Sequence, residues 1–334
     1  MNTKLLNFMK RGEFYLLVVL FLMGAFLSVA TEDFFSLENL FDLLVSYSFV
    51  GIMATGLLVV LISGGIDISF TATATVAQYV VAMYIIKHGG SWFTAFAMAG
   101  AIGITLGAIN GLLVHYLKVS AIIITISTLN IFYGLLIFIT KGKWLYDFPE
   151  WFVNGWELFR FQSSSGNIYS LSMPIVALIV AFAFTAFLLN KTVLGRGIYA
   201  MGGHQEAAKR MGFNILGIHV FVYCYMGLVA AWAAIIQAQV VQTVAPNSIV
   251  GRELEVLAAV VLGGANLAGG AGSLLGTFLG VALIAVLSNG LTLLGVSSYW
   301  HQIVIGFVIL ISVSVTAWNS KNKERKGADI DVEA

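Results

Sequence analysis

Cysteine, proline and charge are all scarce in this sequence. The one cysteine, Cys224, lies inside an apolar run, so no internal disulfide can form. Three prolines in 334 residues leave no proline-rich linker, and there is no serine-rich or low-complexity tract at which to divide the chain. Only 10% of residues are charged, against about 25% in soluble domains. Lys plus Arg, 17, nearly balance Asp plus Glu, 16, so no basic surface suggests a nucleic-acid partner. The five histidines are scattered at loops and helix ends and form no cluster with metal-ligand spacing. No His-Ser-Asp set or paired carboxylates stand out. A P-loop needs a lysine after its last glycine, and "GAGSLLGTFLG" supplies glycines and a threonine without one. Catalysis on this chain, ATP hydrolysis included, is not expected, and no cofactor or metal is expected on it.

What the chain does contain is apolar length. Hydrophobic residues make up 59% and the mean hydropathy is +0.94. Runs long enough to cross a hydrocarbon core of about 30 Å fall near 14–30, 43–62, 68–86, 92–114, 119–140, 172–190, 218–241, 272–294 and 300–318. A shorter run covers 254–266. Counting it gives ten crossings with both termini on one side. Backbone groups in lipid must be satisfied internally, and no run alternates like a barrel strand. The expected fold is therefore an all-α polytopic bundle in a single membrane domain, 1–334.

Basic residues orient it. With the N-terminus inside, twelve of the 17 Lys and Arg fall on the cytoplasmic side, as the positive-inside tendency requires. That assignment makes 1–13 and 319–334 cytoplasmic tails and 191–217 the longest cytoplasmic loop. The acidic "TEDFFSLENLFD" then faces outward. "KRGEFYLLVVLFLMGAFLSVA" also has the outline of a signal peptide ending at Ser28-Val29-Ala30, but its apolar run is longer than a usual signal core, and an uncleaved first span is expected.

The 191–217 loop is a polar island, "GRGIYAMGGHQEAAKRMGF". Gly202 and Gly203 break the chain, and "HQEAAKRMG" reads as a short helix ended by Gly212 in the C′ position. Glu206 in the first turn and Lys209 with Arg210 in the last complement the helix dipole. His204, Ala207, Ala208 and Met211 share one small face, suited either to the membrane surface or to a groove on another protein.

Within the spans, polar side chains are the pathway candidates, because they are costly unless they face protein or water. Thr71, Thr75 and Gln78 align on the third span, Ser127 and Asn130 align on the fifth with Gly134, and Gln237 lies deep in the seventh. Helix–helix hydrogen bonding competes with a pathway role for each. Asp67, in "SGGIDISF", is a carboxylate next to Gly64 and Gly65, which suggests a broken helix. It is a pathway candidate as well, but is expected to cap a helix starting at Ile68 or Ser69, with direct sugar contact or a gating salt bridge as the alternative. "SGGIDIS" and "INGLLVHYLKVS" are echoed by "LGGANLA" and "SNGLTLLGVS" in the second half, either an internal repeat or chance likeness of glycine-rich strings.

Together "LGRGIYAMGGHQEAAKRMGF", "ELEVLAAVVLGGANLAGGAGSLLGTFLG", "LSNGLTLLGVSSYWHQIVIG" and "VVLISGGIDIS" resemble the permease subunits of ribose-type ABC importers, in the wider group that also moves branched-chain amino acids and nucleosides. The likeness covers most of residues 43 to 318. It implies that the island's short helix, with Gly195, Arg196, Gly202, Gly203, Glu206, Ala207, Ala208 and Met211, couples to a cytoplasmic ABC ATPase that uses ATP and magnesium. It also implies a second permease subunit, identical or related, an external or periplasmic sugar-binding protein, and a place in a bacterial inner membrane. The substrate it implies is a monosaccharide or a similar small polyol, with an autoinducer-like furanose, a nucleoside or a branched-chain amino acid as alternatives. An autonomous ion-coupled transporter would need more intramembrane ionisable groups than Asp67 and Glu255.

Overall fold

A computed structural model describes residues 12–162, 168–297, 299–308, 310 and 314. The chain is a helical membrane bundle. In order it forms α1 (Gly12–Ala30), α2 (Leu37–Ile62), α3 (Phe70–His88), α4 (Trp92–Leu117), α5 (Ala121–Thr140), a single turn α6 (Glu150–Val153), strands β1 (Glu157–Gln162) and β2 (Ile168–Ser172), then α7 (Met173–Lys191), α8 (Val193–Gly203), α9 (Gln205–Arg210), α10 (Ile215–Val241), α11 (Glu253–Leu262) and α12 (Leu274–Leu293). Residues 299–308 are again helical. The expected tails lie largely outside the described residues, as does the end of the last apolar run.

Seven of the described helices, α1, α2, α4, α5, α7, α10 and α12, are long and apolar enough to cross a membrane. The third apolar run, α3, is long enough but carries three threonines and Gln78, and the bundle surrounds it: most of its residues are buried. The run near 254–266 is helical only over ten residues, about 15 Å of rise, so α11 alone is too short to cross. The small antiparallel hairpin β1–β2 was not expected from the sequence.

Local chemistry sets the helix starts. Ser36, Ser91, Thr192, Asn214 and Ser273 each sit at an N-cap and accept a backbone N–H three residues on. The core is α2, whose residues from Ser48 to Ile62 are all buried. Against it lies α10, which also packs closely along α4. Lipid tails give no hydrophobic drive for helices to associate, so close packing must hold such a pair. Gly103, Gly107 and Gly111 provide it: a Cβ on Gly103 would lie 2.2 Å from the Gly227 carbonyl oxygen, and one on Gly107 would lie 2.2 Å from that of Tyr223. Leu145 and Val244 exchange backbone hydrogen bonds of 2.8 and 2.9 Å and tie together the connections that follow α5 and α10.

Candidate coupling corner and pathway residues

The corner α8–α9 forms as its local signals dictate. His204 leaves helical geometry, and its Nδ1 accepts the Ala207 N–H at 3.1 Å, starting α9. At the other end Gly212, at φ +87°, lets its own N–H reach Lys209 and the Phe213 N–H reach Ala208, closing the helix as a Schellman turn. Glu206 lies in the first turn and Lys209 with Arg210 in the last. Arg196, Gly203, Glu206, Ala207 and Met211 are exposed, whereas Gly195 is buried in the α7–α8 corner. Ala208 is fully buried and joins the main core. The small face drawn from the helical wheel is therefore split: His204, Ala207 and Met211 are available to a partner and Ala208 is not. The wheel gives the side chains that share a face but not what that face meets, and here the closing turn, in which the Phe213 N–H bonds the Ala208 carbonyl, sets Ala208 against the core.

Gly202 connects this corner to the membrane core. A Cβ there would lie 1.8 Å from the Ile62 carbonyl oxygen, which ends α2, and 2.7 Å from the Gly270 nitrogen. The Gly270 N–H donates to that Ile62 oxygen at 2.9 Å. Gly64 packs against the Gly202 backbone, and a Cβ on Gly269 would come within 2.6 Å of the Gly64 Cα. Three backbones thus meet without a side chain between them: the end of α8, the turn after α2 and the turn after α11.

Those two turns are built alike. After α2, the N–H groups of Ser63, Gly64 and Gly65 reach Val59, Leu61 and Val60. After α11, those of Gly263, Gly264 and Ala265 reach Ala259, Val261 and Val260. Gly64 and Gly264 both have φ +85°. Asp67 Oδ1 accepts the Ser69 N–H at 2.8 Å, and Asn266 Oδ1 accepts the Ala268 N–H at 3.0 Å. The likeness of "SGGIDIS" and "LGGANLA" is therefore one of structure. The second echoed pair is not: Asn110 bonds within the α3–α4 region, while Asn289 forms a reciprocal amide pair with Asn39.

Asp67 is buried, 2% exposed, and also accepts the Ser69 Oγ proton at 2.6 Å. Helix α3 starts at Phe70 with Ser69 as its N-cap residue. Asp67 therefore takes up amide and hydroxyl donors just ahead of the helix, two residues before the N-cap position and not in it as expected. Ser69 Oγ in turn accepts from Asn110 Nδ2 at 2.6 Å, and Thr125 Oγ1 of α5 donates to the Ile66 carbonyl at 3.2 Å. Ser69 and Asn110 were missed by sequence reading, since their partners are up to 41 residues away and no spacing marks them.

The third-span stripe faces protein. Thr71 Oγ1 donates to Glu253 Oε2 at the start of α11, and Thr75 Oγ1 donates back to the Thr71 carbonyl. Gln78 is 1% exposed: its Nε2 donates to the Ala234 carbonyl at 2.7 Å and approaches Gln237 Oε1 at 3.4 Å, while its Oε1 accepts from Ser248 Oγ. Thr71 thus ties α3 to α11, and separately Gln78 ties α3 to α10 and to Ser248 in the connection that follows it. Ser127 and Asn130 lie apart, on the exposed face of α5 with Gly134, and bond back to the Ile123 and Ile126 carbonyls. The structure does not bring the two polar stripes together within one chain.

Comparison with known proteins gives the lineage. The family described as "Branched-chain amino acid transport system / permease component" matches residues 39–313, and the chain belongs to it. The chain is 35% identical to the ribose import permease protein RbsC of Escherichia coli strain K12 over 303 residues, 90% of this chain and 92% of that one. It is 31% identical to the autoinducer 2 import system permease protein LsrC of Photorhabdus luminescens, over 88% and 86% of the two chains. It is 30% identical to the L-arabinose ABC transporter permease protein AraH of Azospirillum brasilense, over 89% and 85%. No solved structure matches.

Proposed function

We propose that this member of the permease family is the transmembrane subunit of an ATP-driven importer, passing a monosaccharide or similar small polyol from an external binding protein into the cytoplasm. The names of its relatives point to that solute class: ribose, L-arabinose and autoinducer 2. The observation that carries the mechanism is the contact of Gly202 with Ile62 and Gly270, which couples an exposed cytoplasmic helix to two broken-helix turns.

In this reading α9 docks on a separate ABC ATPase, where ATP and magnesium are used. Its exposed Ala207 and Met211 meet the partner. Motion of α9 shifts the α2 and α11 turns, and with them Asp67 and the segment that leans on α5. The exposed polar face of α5 at Ser127 and Asn130 would be costly against lipid, which supports its being covered by a second permease subunit with the solute pathway between them. The chain lies in a bacterial inner membrane with about ten passes and both termini cytoplasmic. In that count α11 and its following turn together make one pass, since Gly270 reaches the end of α2.

Mild-detergent purification of the tagged chain tests the assembly: an ABC ATPase and a second permease copy should copurify. A chain that purifies alone yet still transports would replace this reading with an autonomous carrier.

A further inference from the structure

The cytoplasmic ends of α4, α8 and α10 enclose a cavity of about 470 Å³ next to the coupling corner. Its walls are the turn Ser63–Gly65, the α4–α5 corner at Lys118, and the α8–α9 corner from Gly202 to Gln205, with Tyr223 and His219 behind them. Among the described residues, every ionisable group lining it other than Tyr223 is basic: Lys118, His115, His204 and His219, with no carboxylate among them. Lys118 ends α4 in left-handed backbone and is exposed, as is His204.

The polar atoms here are left with capacity to spare. Tyr223 is 1% exposed and its hydroxyl has no hydrogen-bond partner, although it stands only 2.7 Å from where a Cβ on Gly65 would lie. A buried hydroxyl left unbonded within the protein keeps its proton for an occupant of the cavity. His115 Nδ1 and His219 Nδ1 are 3.3 Å apart. One of them must donate and the other accept, so one ring keeps an Nε2–H and the other has a free Nε2. His204 Nδ1 is occupied by the Ala207 N–H, which leaves its Nε2 to carry the proton.

We propose that this cavity binds a phosphate group, with the Lys118 ammonium neutralising it and imidazole N–H groups and the Tyr223 hydroxyl donating to its oxygens. The volume admits a phosphate monoester of pentose size. The phosphate of an anionic lipid headgroup offers the same chemistry from a second source. An occupant would lock the α4–α5 corner to the α8–α9 corner beside Gly202. The proposal does not rest on transport.

The test uses the full-length chain alone in phosphatidylcholine nanodiscs, with a labelled pentose 5-phosphate as probe and inorganic phosphate and the uncharged pentose as competitors. The phosphorylated probe should bind, inorganic phosphate should compete and the uncharged pentose should not. Lys118→Gln should weaken binding roughly tenfold, the usual consequence of losing one charge-assisted hydrogen bond. Tyr223→Phe should weaken it several-fold with unchanged thermal unfolding, because that hydroxyl has no protein partner to lose. If instead an anionic phospholipid copurifies, blocks the probe and is lost in Lys118→Gln, the site is upheld and its source is the headgroup. Absence of both probe and lipid, binding indifferent to both variants, or equal competition by the uncharged pentose would overturn it. Failure of binding leaves the uptake of the assembled importer, and so the transport reading, untouched.

Discussion

At the scale of single residues, Asp67 shows how a carboxylate is held inside a membrane protein. Its Oδ1 has two donors from Ser69, which itself is held by Asn110, so the group is bonded rather than stranded. Asparagine retains an acceptor for both bonds and alanine retains none. Asp67→Ala should therefore lower stability by about 1.5–3 kcal/mol, the range for hydrogen bonds to charged groups, and should abolish uptake, while Asp67→Asn keeps much of both. Thermal unfolding and uptake of the assembled complex check this; an asparagine variant that is stable yet as inactive as alanine would make the charge itself the requirement. Gln78 and Asn130 separate along the same lines. Gln78→Leu breaks an interior cross-link between α3 and α10 and should cost about 1–2 kcal/mol, a few membrane hydrogen bonds' worth. Asn130→Leu removes only a bond to its own helix and should leave unfolding unchanged while uptake falls. The helical wheel grouped Thr71 with Gln78 and Ser127 with Asn130 correctly, because periodicity fixes which residues share a face. It could not say that the first face meets protein and the second does not, since that depends on neighbours far along the chain.

At the scale of elements, α9 was fully legible because every signal that makes it is local: the glycine break, Glu206 early, Lys209 and Arg210 late, and Gly212 as its terminator. The glycine contacts of Gly202 with Ile62 and Gly270 were not, as a glycine in sequence gives no hint of what approaches it. The β1–β2 hairpin was hidden for a different reason: it lies in a connection between spans, where the apolar runs used to find helices carry no information. Substitutions within this corner should part into three kinds. Ala207→Glu, on the exposed side, should release the ATPase with thermal unfolding unchanged. Ala208→Glu buries a charge and should destabilise the chain before any docking is measured. Gly202→Ala forces the backbone away from Ile62, so ATPase association should persist while uptake falls at least tenfold. Docking measured by copurification and uptake in proteoliposomes distinguish the three, and normal uptake by Gly202→Ala would remove the proposed link between α9 and the two turns.

At the scale of the whole molecule, the scarcity of charge and the long apolar runs were enough to establish a polytopic helical bundle, and family membership follows from a match over residues 39–313. The pass count was harder to read because α11 is short, ten helical residues followed by a glycine-rich turn, and an apolar run in sequence does not show where its helix breaks. A cysteine placed in that turn, as at Ala268, should react with a thiol reagent only from the cytoplasmic side if α11 and its turn complete a pass; the chain's own Cys224 would first be replaced by serine. The central claim is that this chain carries solute only when driven through α9 by a separate ATPase. Uptake of labelled ribose into proteoliposomes, with the chain, its copurified ATPase and its binding protein added singly and together, tests it most directly. Accumulation should require all three and ATP, and should vanish with Ala207→Glu. Accumulation by the chain alone, without ATP, would contradict the claim.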